Sequence, residues 1–177
     1  MLSRSYAVAL LSALAALYAG AAVAAEEKPG LLDSFRDWHV YSVGAGTDRL
    51  CYALSQPKQM NPANLTRDSV FLLISSWPGR KVKNEPSVVP GYQYKVGSKV
   101  QVQVGADKFE LFTKNDGSSA GGAWLENPAD EKKLVDAMKR GSEMVITGTS
   151  LRGALTRDNY SLAGISAALD KVDATCK

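Results

Sequence analysis

The sequence predicts a mainly β protein: an antiparallel β-sandwich or barrel-like body with one or two covering helices, at about 128–140 and 161–173. Three observations lead there. Apolar residues alternate with polar ones in many short runs, the period of a half-buried strand. Turn-forming clusters separate these runs at hairpin spacing. Helical spacing appears only late in the chain, with none of the strand–helix alternation that a parallel sheet requires.

Residues 1–25, MLSRSYAVALLSALAALYAGAAVAA, carry one cation, Arg4, then a charge-free stretch ending in small residues. That is the layout of a secretory signal peptide, here cleaved after Ala25, with Ala24 as the alternative. An uncleaved anchor over Tyr6 to Ala25 is the rival reading, disfavoured by its alanine-rich, weakly apolar end. Residues 26–177 read as a single β-rich domain, because 177 residues leave room for one ordinary core.

After the polar leader EEKPG, Phe35 to Val43 places Trp38 and Val40 on one parity, as a strand does. GAGTD is turn chemistry, and Leu50 to Ser55 returns as the second arm of a hairpin. Residues 56–68, with two prolines and no periodicity, predict an exposed loop. Val70 to Ile74 is continuously apolar, as a strand covered on both faces would be. Pro86 and Pro90 around Val88 and Val89 predict an edge strand. VQVQV, GADK and FELFT form a hairpin with Val100, Val102 and Val104 on one face. NDGSSAGG is a turn cluster, and AWLEN a short strand presenting Trp124.

Asn127, Pro128, Asp130 and Glu131 supply an N-cap, a first-turn proline and acids for a helix over 128–140, which Lys139, Arg140 and Gly141 close. Glu143 to Leu151 and Leu155 to Tyr160 form another strand pair. Asp158 and Ser161 are candidate caps of a last helix carrying Leu162, Ile165, Leu169 and Val172 at helical spacing.

Twenty-one Lys and Arg against eighteen Asp and Glu give +3, too small and scattered a surplus for a nucleic-acid footprint. One His and two Cys cannot furnish a zinc site, and no phosphate-cradling glycine loop or G-x-S-x-G nucleophile motif is present. His39 reads as a partly exposed strand residue. No catalytic, cofactor or metal set is predicted. Cys51 and Cys176 both follow the export segment, and an oxidising compartment predicts that they pair, with two buried thiols as the alternative. Arg80, Lys81 and Lys83 beside Trp77 are the candidate contact for an anionic partner, with a solvated loop as the plain alternative. Asp37, Asp48 and Asp158 are the acids that a hydrolase would draw on.

Taken in order, the early DWHVY, FLLIS at 71–75, KVKNEPSVVPGY, NDG, AWLEN, LVDAMKRGSEMVITGTSLRG and DNYSLAGISAALDKVDATC resemble the invasion-associated locus B family over residues 35–176. Many relatives carry an additional Cys near the first strand, where this chain has Tyr41 and Ser42. The resemblance implies a compact β-rich protein exported by a Gram-negative, alphaproteobacterial cell, periplasmic or envelope-associated, linked in some pathogens with entry into host red cells. It implies no catalytic residue set. The expected role is therefore a non-enzymatic module whose loops 56–68, 77–87 and 114–122 bind another envelope protein or a glycan. The alternative is a small periplasmic carbohydrate-binding protein or hydrolase using Asp158 and exposed Trp residues. No stable membrane span is expected once the leader is removed.

Overall fold

Each alternating run becomes a strand of one sheet in the structure, a computed structural model that describes residues 28–117 and 120–177. The predicted leader at 1–25 lies outside the described residues. In chain order the elements are β1 (Gly30–Phe35), β2 (Trp38–Val43), β3 (Leu50–Ser55), β4 (Gln59–Asn61), β5 (Phe71–Trp77) and β6 (Val82–Val89). They continue with β7 (Lys99–Val104), β8 (Asp107–Asn115), β9 (Gly121–Trp124), α1 (Pro128–Arg140), β10 (Glu143–Thr149), β11 (Leu155–Ser161) and α2 (Ile165–Thr175). The fold is mainly β with two helices, and every strand pairing is antiparallel. The strands form one sheet in the order β1-β2-β3-β5-β6-β9-β8-β7-β10-β11-β4, not closed into a barrel.

Alternation sets the two faces of this sheet. One parity faces a shared core: Trp38 and Val40 from β2, Ala53 from β3, Leu72 and Ile74 from β5, and Val100 and Val102 from β7, joined by Met144, Ile146 and Tyr160. Because residues from both halves of the sheet enter one cluster, the sheet folds over its own inner face. Both helices are drawn into that interior. α2 packs on β1, β2, β3 and β5 through Ile165, Ala168, Leu169 and Val172, while α1 lies along β6 and adds Leu134, Val135 and Met138.

The start of α1 is built as its sequence dictates: Asn127 Oδ1 accepts the Ala129 N–H at 2.8 Å, and Pro128 takes the first turn. Asn127→Ala is expected to cost about 1 kcal/mol, read as a lower midpoint in thermal unfolding.

Several expectations are corrected. β5 is not covered on both faces: Leu72, Ile74 and Ser76 are buried, but Phe71, Leu73, Ser75 and Trp77 are only half-buried. β6 is not an edge strand, since it lies between β5 and β9. Pro86 is tolerated because the β9 ladder reaches only Ser87 and Val88, so Pro86 stands just past its last rung. The 56–68 segment is not all loop, because Gln59–Asn61 pairs with β11. The last helix begins at Ile165 rather than 161, and Asp158 belongs to β11. Its N-cap position is Gly164, at φ 99°, where a Cβ would sit 1.9 Å from the Phe35 carbonyl oxygen. Only glycine lets the helix entry come this close to the first hairpin.

The first described strands and the C-terminal segment are fastened together at both ends of α2. Cys51 and Cys176 form a disulfide with Cα atoms 5.9 Å apart across 125 residues of sequence. The Trp38 indole N–H donates to the Ser161 carbonyl at 3.2 Å, and Asp37 N–H to the Ala163 carbonyl at 3.3 Å.

Candidate functional site

The sheet's outer face is the parity that the core does not use, and across β2, β3 and β5 it is unusually apolar. A single register row crosses seven strands: His39, Leu54, Leu73, Ser87, Trp124, Phe112 and Lys99. The first six are half-buried. Beside the row lie Tyr41 and Tyr52, stacked at 5.4 Å with their planes 19° apart, and the paired Phe71 and Val89. Burial pushes the Tyr52 phenol above its ordinary range, with the neighbouring Tyr41 adding to the effect. An antiparallel sheet with one face on a core normally turns polar side chains outward. Here the outward side chains of β2, β3 and β5 are largely aromatic and aliphatic, while those of β7, β10 and β11 are mostly polar.

Trp124 is positioned by its own strand. A Cβ at Gly122 would meet the Trp124 ring at 2.1 Å, so the six-membered ring occupies the space that any other residue at 122 would fill. Gly122 is buried beneath it. Phe112, opposite Trp124 in the ladder, lies 5.9 Å away with its plane tilted by 34°.

The predicted anionic contact lies at the β5–β6 turn. Arg80 places its guanidinium 3.7 Å from the centre of the Trp77 ring, a cation–π geometry that covers one face of the indole. Lys81, at φ 57°, projects from the turn, and Lys83 approaches Asp173 at 3.5 Å. Lys81 and Lys83 also reach the rim of a groove of about 670 Å³ between β6 and α1. Glu85 and Glu131 share this groove, and partial burial with their mutual repulsion raises the Glu131 carboxyl. The lysines are thus interleaved with acids, and the groove as a whole carries no strong positive field.

The three acids singled out from sequence do not converge. Asp37 is ion-paired with Lys58, which holds its carboxyl below the usual range. Asp48 sits in an exposed turn. Asp158 is buried and bound at both oxygens by Arg67, at 2.6 and 2.8 Å. Arg67 also lies 5.8 Å from the Tyr92 ring and forms one wall of a cavity of about 410 Å³ with Tyr92, Gly91, Leu151 and Arg152. Tyr92 donates to the Thr156 hydroxyl at 2.7 Å, which donates in turn to the Gly148 carbonyl. Burial raises the neighbouring Tyr94 and Tyr160 phenols, so both tyrosines stay protonated at neutral pH. The cluster is a buried strut, with no free carboxylate for acid–base chemistry.

His39 is half-buried on the outer face, its Nδ1 2.9 Å from the Ser34 hydroxyl. Trp38 is fully buried in the core. Of the loops expected to bind, 77–87 is mostly strand β6, and in 114–122 Ser118 and Ser119 lie outside the described residues. Among the described residues, no cluster of His, Cys, Asp and Glu could hold a metal ion, and no helix is long and apolar enough to cross a membrane.

No curated protein and no solved structure matches the chain significantly. The family model described as "Invasion associated locus B (IalB) protein" matches residues 38–173, a span that runs from the first buried tryptophan to the last turns of α2. With the match covering most of the sheet and both helices, the chain belongs to the invasion associated locus B (IalB) protein family.

Proposed function

We propose that the protein is an exported component of the cell envelope that acts by binding rather than by catalysis, and that it binds through the outer face of its sheet. The carrying observation is the half-exposed row from His39 to Phe112, flanked by Tyr41, Tyr52, Phe71 and Val89. Contiguous apolar surface of this kind marks sites of interaction, because leaving it in water costs free energy that a partner recovers. Family membership and the Cys51–Cys176 bridge support delivery to an oxidising compartment, as does the leader read at residues 1–25. Asp158 is occupied by Arg67, which argues against the hydrolase alternative. Arg80, held out on Trp77, with Lys81 and Lys83, forms a separate contact for a different, anionic ligand at the β5–β6 turn.

The oxidised protein is expected to co-sediment with washed envelope fractions. A double variant, Tyr52→Lys with Leu73→Lys, puts two charges on the outer face while leaving every core residue in place, and should lower that retention at least about tenfold. Retention equal to wild type would remove the outer face from the binding role.

A further inference from the structure

Resting on the binding role proposed above, we infer that the ligand is a neutral glycan, a chain of hydroxyl-rich pyranose rings, one of which stacks on Trp124. The Trp124 ring is backed by Gly122, where even a methyl group would collide with it at 2.1 Å. Phe112 restrains it from the side at 5.9 Å. Trp124 is only half-buried, so part of its side chain reaches solvent. A ring fixed before binding loses little conformational freedom when a flat partner settles on it. Its electron-rich face attracts the weakly positive C–H groups that line one side of a pyranose.

The surroundings decide the class of ligand. Lys114 stands opposite Gly122 in the ladder and Lys99 opposite Phe112, with Glu126 two residues beyond the tryptophan. Lys99 lies 3.7 Å from Glu126 and 4.0 Å from Glu110, and Gln101 donates to Glu110 at 2.9 Å. Cations and carboxylates alternate, so no net field selects an anion. What the rim offers is a set of donors and acceptors of both kinds, which complements the hydroxyls of an uncharged sugar. A protein partner fits less well, because the core of a protein interface is depleted of charge. Trp77 cannot serve the same purpose at the face that Arg80 already covers.

The test is affinity electrophoresis of the oxidised protein through gels containing soluble neutral glucans, mannan or glycol chitin, with alginate and heparin as anionic counterparts. At least one neutral polysaccharide should retard the protein, with little dependence on salt. Trp124→Ala should weaken that retardation at least about tenfold. Lys114→Ala and Glu126→Gln alter exposed side chains that the fold does not need, and each should weaken it by about threefold, the loss of roughly one hydrogen bond. Failure of every neutral polysaccharide to retard the protein overturns the inference, as does stronger, salt-sensitive retardation by the anionic ones. Retardation that survives Trp124→Ala overturns the site. If envelope retention still depends on Tyr52 and Leu73 while all neutral chains fail, the glycan assignment falls and the binding role stands.

Discussion

Replacing Cys51 and Cys176 together by alanine is expected to lower the unfolding free energy by up to about 5 kcal/mol, the chain-entropy value for a bridge closing a loop this long. The two cysteines are 125 residues apart, so the intact bridge removes a large share of the unfolded chain's freedom. Cys51 is fully buried in the core, and Cys176 follows directly on α2. Without the link, the end of α2 is held at β3 chiefly by its own packing and by Arg49, which donates to the Thr175 carbonyl at 3.4 Å. A domain of this size has a net stability of only about 5–15 kcal/mol, so the variant should lie near the threshold of folding at 37 °C. Urea unfolding of the oxidised protein, the same protein reduced, and the double variant measures the effect. A loss below about 1 kcal/mol would show that α2 docks without the covalent link.

A second large effect is expected at Arg67 and Asp158. The side chains are 3% and 5% exposed, and the two bonds between them are bidentate. Removing one partner strands the other as an uncompensated charge away from water, which typically costs about 3–5 kcal/mol. Arg67→Met and Asp158→Leu should each fall in that range. The double variant, which removes both charges and keeps apolar volume, should recover most of the loss. Denaturant midpoints of the four proteins complete a double-mutant cycle. Single losses that simply add in the double variant would mean that the pair contributes no mutual stabilisation.

How much of this could be read from residues alone follows from where each signal lies. The β7–β8 hairpin was legible because VQVQV alternates without interruption and a two-residue turn, Gly105 and Ala106, lies between the paired Val104 and Asp107. α1 was legible because its caps are local chemistry. β4 was not, since Gln59–Asn61 are all exposed and become a strand only through pairing with β11 about 100 residues away. β1 escaped for a similar reason: its residues are almost all exposed and show no apolar period, and Arg36 turns the chain at φ 55° without a glycine. Asp158 sits between Thr156 and Tyr160 on the buried parity of β11, a sign that it was no helix cap. Its partner came from a segment with no periodicity at all, so the pair could not be inferred. The outer face needed the register of six ladders to be seen as one row. Only the GGAW string, with a glycine two positions before the tryptophan, hinted at it.

Trp38, Cys51 and the Asp37 N–H are each partnered by residues from the last twenty of the chain: Ser161, Cys176 and Ala163. A polypeptide delivered amino end first, from a ribosome or through a membrane pore, therefore cannot finish its opening hairpin until its final helix has emerged. Such long-separation closure is slow by nature. Native structure is thereby postponed to the moment of release, and the chain stays loose enough to be threaded for as long as any of it remains in transit.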